Sequence, residues 1–502
     1  MNVSSPQTPL HSARHLAGAG IILMGSQIVG MVLQVLVFST IQHQFSQAEN
    51  GTFFWIQQIA GLALLILAEM GMNSIVIRMY VEHHEDSEAQ DRIITTFFWL
   101  RFGLWLLTSL ILCGFVALTE PEILFSVALY ALYSGIAARS ALLRMVLETR
   151  RRAVNDQLLP ALAGLSDIVL LGIATFILRN ALTLPLVMLL FVLTALPGMI
   201  IMILAGKQWR LSWSKIDTQL ARTILRETAP ILVSIGMMQI QDKSDTIALN
   251  TFFGREALGA FGAIMRVVTP LVSLLMIISG VIAPPVTRLR LTNPEQCKDY
   301  VLSGLRWTIL ASIASALAVG ICSQEILLIT AGEQYLAYSS AFSVGVWTLV
   351  PGMVVAYLLA ILTALGLQRQ VLPMMLTLAI GAVVGNLVFT PSSGILGSLV
   401  TRIIAASAAS FFGLWVLQRF VEDGTLLRLL WRSALFAATM IALHILVRRF
   451  VGSVLLWSSP FTALGLGLCV IAAFLGCALF VGLLTRADMI RVLQVFRSEQ
   501  RS

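Results

Sequence analysis

Eight ionisable side chains stand inside long apolar stretches of this sequence: Glu69, Arg101, Asp167, Asp242, Lys243, Asp245, Arg266 and Arg402. A charge at the centre of a bilayer costs at least about 2.5–3.5 kcal/mol on insertion scales, so such groups line cavities or pair with one another. Arginine holds anionic oxygens through a planar fork and stays charged when buried. Carboxylates titrate, so Glu69, Asp167, Asp242 and Asp245 are candidates to pair with those cations or to take up H⁺ or Na⁺. Asp242 and Asp245 are three residues apart and share a helix face. Lys243, Arg266 and Arg402 come from three stretches at similar depth, which predicts a basic chamber, with a structural network of carboxylate and guanidinium as the plainer reading. Gln58 and Gln241 add amide groups suited to hydroxyls. Neither HExxH, nor a Cys/His cluster, nor GxxxxGK[ST], nor a supported Ser/His/Asp arrangement is present in the sequence. A resident metal, a cofactor and covalent catalysis are therefore not expected.

The elements that must position these charges follow from composition. Of 502 residues, 58% are hydrophobic and 12% charged, against about 25% charged in a soluble domain. A soluble globule of this size needs a charged skin that this chain lacks. Soluble enzymes, nucleic-acid modules and disordered proteins are excluded, and nucleic acid is not an expected partner. The expectation is an all-α polytopic membrane protein in contact with membrane lipids. Apolar runs fall at 17–41, 52–78, 94–117, 122–141, 156–178, 183–205, 228–252, 257–283, 302–322, 338–364, 372–390, 394–418, 430–447 and 454–484, about fourteen helices by the roughly 20-residue span length. Lys and Arg concentrate in one set of loops, including Arg150–Arg152, Lys207–Arg226, Arg288–Lys298 and Arg419–Arg432. That side is cytoplasmic by the positive-inside rule, which puts both termini inside and absorbs most of the net charge of +8. The outer loops are short, the longest running from Ser323 to Tyr335. On this topology Glu69 and Arg101 lie roughly 12–13 Å from the cytoplasmic face, at matched depth for an ion pair. Snorkelling of Arg101 to the headgroups is the alternative.

The chain also repeats. Glu49–Ile56 can be laid on Ala257–Ile264 with Gly, Phe and Ile coincident and no gap. Both stretches open the second helix of a hairpin that turns outside and ends at a cytoplasmic arginine, Arg78 or Arg288. The six spans between them predict a parallel repeat about an axis normal to the membrane. An N-lobe over 1–222, a C-lobe over 223–420 and an appended helix pair with a basic tail over 421–502 follow. Under the repeat Arg266 falls opposite Gln58. Proline removes a helix hydrogen bond and permits bending, so Pro270 and Pro351 are the hinge candidates, and Pro284–Pro285 is expected to end the eighth span.

Three stretches carry a resemblance: Phe45–Phe53 between spans 1 and 2, Glu227–Leu232 opening span 7, and Phe253–Phe261 between spans 7 and 8. With the span layout, the chain resembles the multidrug/oligosaccharidyl-lipid/polysaccharide (MOP) flippase superfamily, and within it the polysaccharide-export branch of Wzx-like flippases. The resemblance implies a non-enzymatic flippase of the bacterial inner membrane. It would move undecaprenyl-diphosphate-linked oligosaccharide between leaflets by alternating access, for O-antigen or exopolysaccharide assembly. A polymerase and a chain-length regulator of the same pathway would be its partners. A diphosphate head suits Arg101, Lys243, Arg266 and Arg402, and the sugars suit Gln58 and Gln241. Three other readings stand beside it: a lipid II flippase, a multidrug or cation antiporter of the same superfamily, and a membrane polymerase or glycosyltransferase. The embedded cations argue against the antiporter, and the short loops without DxD argue against the enzymes. Coupling to H⁺, to Na⁺ or to neither stays open.

Overall fold

A bilayer offers backbone groups no water, so a chain that crosses it satisfies its hydrogen bonds within helices or a closed barrel. The computed structural model describes residues 9–68, 72–83, 86–150, 155–205, 216–421, 424–458, 470 and 472–483, and among these there is no strand. The helices are α1 (Pro9–Gln44), α2 (Gln47–Ala68), α3 (Met72–Glu82), α4 (Ser87–Thr119), α5 (Leu124–Arg150), α6 (Asn155–Ile177) and α7 (Leu184–Ala205). They continue with α8 (Thr218–Thr292), α9 (Pro294–Ile321), α10 (Ser323–Thr330), α11 (Ser339–Gly345), α12 (Leu349–Ala364), α13 (Gln368–Val421) and α14 (Thr425–Ser458).

Seven of the described helices are long and apolar enough to cross a membrane. Two of these, in α8 and α13, are each two helices joined at a left-handed glycine, Gly254 (φ 76°) and Gly394 (φ 55°). Only glycine enters that region without steric cost. Shorter apolar helices complete the layout at Ile28–Gln44, Pro121–Ala137 and Leu165–Ile177. The protein is an all-α polytopic membrane protein, and α4 shows why: Leu107, Leu110, Ile111, Phe115 and Leu118 all lie on its surface, as only lipid would allow.

Local sequence sets the helix starts. Ser46 and Glu49 form a capping box at α2. The Ser46 amide donates to Glu49 Oε2 (2.9 Å), and the Glu49 amide donates to Ser46 Oγ (3.3 Å). The Asp86 carboxylate accepts from the Glu88 and Ala89 amides at the start of α4, and Asp217 does the same for Gln219 and Leu220 at α8. Asn293 caps α9, whose first residue is Pro294.

The chain divides into two compact units, Met1–Gly262 and Ala263–Ser502. In the first, residues of α1, α2, α4, α5, α6 and α7 share one core centred on Phe53. The Phe53 ring lies 6.0, 6.4 and 6.1 Å from those of Phe38, Phe45 and Phe191. The second unit holds an antiparallel hairpin made by the two arms of α13 (368–393 and 395–421). Gly381 abuts Ala405, Gly385 abuts Thr401, and Gly397 abuts the backbone of Phe389. α12 packs on α13 and α9, where the Tyr357 hydroxyl donates to the Val301 carbonyl at 2.6 Å. The lobes expected over 1–222, 223–420 and 421–502 are a statement of repeat symmetry and stand as a proposal beside this division by contact.

Some local expectations change. The segment from Ser323 to Tyr335 is not a loop: it forms α10 and part of a 3₁₀ turn (Glu333–Tyr338), with Ser323, Leu327 and Tyr335 buried. Tyr335 and Leu327 supply the apolar surface that draws it into the core. The span expected over 338–364 lies within one apolar helical stretch, Glu333–Ala364, that tightens to a 3₁₀ turn at Val346–Thr348 between α11 and α12. Pro284–Pro285 does not end a helix, since α8 runs on to Thr292. The fully buried Val286 anchors that turn, and packing outweighs the hydrogen bonds lost at the two prolines.

A methyl at Gly397 collides with the Phe389 carbonyl, which cannot rotate away, whereas one at Gly103 meets nothing within 4 Å. Gly397→Ala is expected to lower stability by about 1–3 kcal/mol. Gly103→Ala should be neutral or slightly stabilising through helix propensity. Thermal unfolding of the two purified variants checks the contrast.

Candidate functional site

In the first unit the starts of α2 and of the second arm of α8 (255–292) touch. A Cβ at Gly51 would strike the Arg255 carbonyl, and one at Gly259 would strike the Gln47 carbonyl. Under the repeat Gly51 corresponds to Gly259 and Gln47 to Arg255, so each contact is the image of the other. This is the self-complementary form of a two-fold interface, here between two segments of one chain. Phe54 seats against Gly262 and edge-on to Phe261, with ring centroids 6.2 Å apart.

The same end of the unit carries a polar clasp. Arg255 forms an ion pair with Glu120, at the end of α4, and its guanidinium lies over the Trp55 ring at 4.5 Å. Asn50, buried at the α1–α2 turn, donates to the carbonyls of Gln42 and Phe45 (both 3.2 Å). This is the end expected to face outside.

Deeper in the unit, Lys243 Nζ donates to Gln58 Oε1, joining the first arm of α8 (218–253) to α2. Gln58 is the repeat counterpart of Arg266. The position therefore bears a cation in both repeats, directly in Arg266 and through the recruited ammonium of Lys243 at Gln58. Gln241 lies half-buried on the same arm, its carbonyl accepting from Ser244 Oγ at 2.9 Å. Asp242 is half-buried and Asp245 wholly buried at 0% exposure, so the two carboxylates, though one turn apart, occupy different surroundings.

Arg101 on α4 is 4% exposed. Its guanidinium is enclosed by protein, not extended to the headgroups. Its expected partner, Glu69, lies outside the described residues. Asp167 on α6 is half-buried, beside Ser166 (3.4 Å) and within electrostatic reach of Tyr133.

In the second unit Arg266 lies beside the buried Tyr335, and Arg402 sits half-buried on the second arm of α13 next to the buried Thr401. The cations expected in one basic chamber thus divide between the units, Lys243 in the first and Arg266 with Arg402 in the second. The hinge candidates take ordinary helical places. Pro270 continues α8, whose break is at Gly254. Pro351 lies in the first turn of α12, where proline has no partner amide to lose. Its carbonyl accepts from Ser410 Oγ at 3.0 Å, fixing α12 to α13.

Sequence reasoning did not single out Tyr335, Glu120 or the Gly51–Gly259 contact. One signal was available: Arg255 is among the few cations on the side that is otherwise poor in them.

The family model described as "Polysaccharide biosynthesis protein" matches residues 16–290, more than half of the chain. The chain belongs to this family. Solved structures described as MOP superfamily transporters share its fold. One solved structure of the same fold is described as the lipid II flippase MurJ in an inward closed conformation (TM-score 0.65, 13% identity, 87% of this chain and 98% of that one). Another is an inward-facing multidrug resistance MATE family transporter of the MOP superfamily (0.60, 15%, 78% and 94%). A third is a MOP superfamily transporter from Pyrococcus furiosus, whose pocket is described as having reverse polarity suggesting a different function (0.59, 15%, 80% and 95%). At these identities the likeness concerns the fold. No curated protein matches the chain.

The Lys243–Gln58 contact yields a stability test for this family member. Gln58→Leu removes one acceptor from a half-buried ammonium and is expected to cost about 0.5–1.5 kcal/mol. Adding Lys243→Met should recover part of that loss. A double-mutant cycle by thermal unfolding measures the coupling; strict additivity would show that the two side chains do not interact.

Proposed function

We infer that the chain is a transporter or flippase of the MOP superfamily. We propose that it moves undecaprenyl-diphosphate-linked oligosaccharide repeat units across the bacterial inner membrane for O-antigen or exopolysaccharide assembly, by alternating access and without catalysis. The observation that carries this reading is the set of four cations within long apolar helices, Arg101, Lys243, Arg266 and Arg402, in a chain of a polysaccharide family. A polyprenyl diphosphate head brings about two negative charges that must leave water. Guanidinium groups compensate them bidentately and without losing charge on burial. The amides of Gln58 and Gln241 serve the sugar hydroxyls on this reading. The carboxylates temper affinity so that the head group is released on the far side. On this reading both termini are cytoplasmic, and a polymerase and a chain-length regulator act on the product. A lipid II substrate shares this head-group chemistry and is supported by likeness of fold to MurJ.

A deletion strain is expected to lose surface polysaccharide and to accumulate the lipid-linked intermediate; normal polymer in a strain with no second transporter contradicts the reading. Complementation with Arg266→Ala or Arg402→Ala should lower export by roughly 10- to 100-fold, the cost of one charged hydrogen bond, while the Lys variants keep part of it. Full activity of both Ala variants at normal expression removes these residues from the phosphate site.

The proposal extends to coupling. Uptake of H⁺ or Na⁺ by Asp242 or Asp245 would free a cation for phosphate. Replacing both by Asn is expected to abolish dependence on an ion gradient, read as transport into vesicles with and without an imposed gradient. Unchanged dependence contradicts it.

A further inference from the structure

α5 is accessible along two opposite faces. Phe125, Ala128 and Leu132 lie exposed on one. At about 100° per residue, Tyr130, Tyr133 and Ser134 centre on the other. These three are half-buried, and the buried Val127, Ala131 and Ile136 separate the two faces. Lipid accounts for the first face, which is wholly apolar. It does not account for the second, because a phenol hydroxyl left without a partner in hydrocarbon is costly. The second face points into the first unit, where α5 packs against α2 and α7 and meets α6. The Tyr130 hydroxyl lies 4.0 Å from where a Cβ on Gly61 of α2 would stand. The Tyr133 ring packs edge-on to that of Phe191 of α7, with centroids 5.1 Å apart, and lies 5.7 Å from that of Tyr130. Asp167 of α6 is within electrostatic reach of Tyr133.

Aromatic side chains that serve packing alone satisfy their polar ends on the backbone. Tyr357 is fully buried and donates to the Val301 carbonyl at 2.6 Å. The Trp105 indole, next to α5, donates to the Ala131 carbonyl at 3.0 Å. Tyr130 and Tyr133 differ on both counts. Their rings keep accessible surface, and neither hydroxyl has a hydrogen-bond partner among the described residues. Two ring faces, two phenol hydroxyls and a nearby carboxylate suit a ligand that is apolar and polar over the same short distance. A pyranose is such a ligand: its C–H faces lie on aromatic rings, and its hydroxyls donate to a carboxylate and accept from phenols. An organic cation would use the rings and the carboxylate but has no acceptor for the two phenols.

We propose that Tyr130 and Tyr133, with Asp167 beside them, form a sugar-binding face that receives the saccharide of the lipid-linked substrate. The inference rests on the proposed function, in which the embedded cations take the diphosphate, and adds to it a stacking surface that discriminates for the sugar.

The full-length protein, purified in detergent, is titrated with the lipid-linked intermediate extracted from the deletion strain and with undecaprenyl diphosphate, which lacks the sugar. The wild type should bind the saccharide compound more tightly. Tyr130→Leu/Tyr133→Leu should weaken that binding by about tenfold, as loss of two stacking rings requires, and leave undecaprenyl diphosphate unchanged. Tyr130→Phe/Tyr133→Phe keeps the rings and the packing on Phe191 and removes only the hydroxyls. It should lower the preference for the saccharide compound by roughly two- to tenfold, and it carries the test if the Leu variant does not fold. A monodisperse elution profile establishes which variants fold. Equal binding of the two compounds by the wild type overturns the inference and leaves the proposed function standing. So does an undiminished preference in the variants, or an equal weakening of both compounds. Binding of neither compound by the wild type overturns the proposed function and the inference with it. Capture of tetraphenylphosphonium by the wild type but not by Asp167→Asn overturns the inference in favour of an organic-cation site.

Discussion

In hydrocarbon an unmet polar group has no water to fall back on, and every feature of this chain answers to that constraint. Backbone amides and carbonyls meet it by forming helices, and the ends of those helices meet it with caps such as Ser46–Glu49 and Asp217. Charged side chains must be met individually. The Lys243 ammonium has the Gln58 amide, Arg255 has Glu120 and the Trp55 face, and Arg101 is enclosed by protein. Meeting such a charge costs more in desolvation than a well-packed apolar residue would, so each of these cations ties together elements that an apolar side chain would not.

The repeat gives the constraint its geometry. Gly51 and Gly259 match in sequence and each lets its helix approach the backbone of the other repeat segment. Small residues permit such approach where side chains offer no hydrophobic drive over lipid. Deeper along the same register, Gln58 of the first repeat, bonded to Lys243 of the second, answers to Arg266. A tight glycine crossing at one end of the helices, with Gln58 or Arg266 two turns further along, is thus common to both segments.

Much of this was legible in the residues and some was not. Long apolar runs, the turn at Gly254, the α13 hairpin at Gly394 and the Ser46-x-x-Glu49 cap have local signatures, since composition and spacing within a dozen residues decide them. Packing of 323–335 was hidden because one buried tyrosine, Tyr335, and one leucine, Leu327, turn a polar-looking loop inward, and nothing local distinguishes them. The Arg255–Glu120 pair joins residues far apart in sequence, where spacing carries no information. Pro351 at the start of α12 costs its helix nothing, whereas a left-handed glycine such as Gly254 changes the chain direction, and sequence shows both only as helix breakers.

The central claim is that the embedded cations exist for a phosphorylated lipid head. Purified protein in liposomes, given a prenyl-diphosphate-linked saccharide in one leaflet, tests it against the same saccharide on a prenyl chain without phosphate. Transfer is read as accessibility of the sugar to an impermeant lectin. The account predicts that the diphosphate compound crosses in a protein-dependent way and the uncharged one does not. Equal transfer of both, or of neither in vesicles shown to hold folded protein, would contradict it.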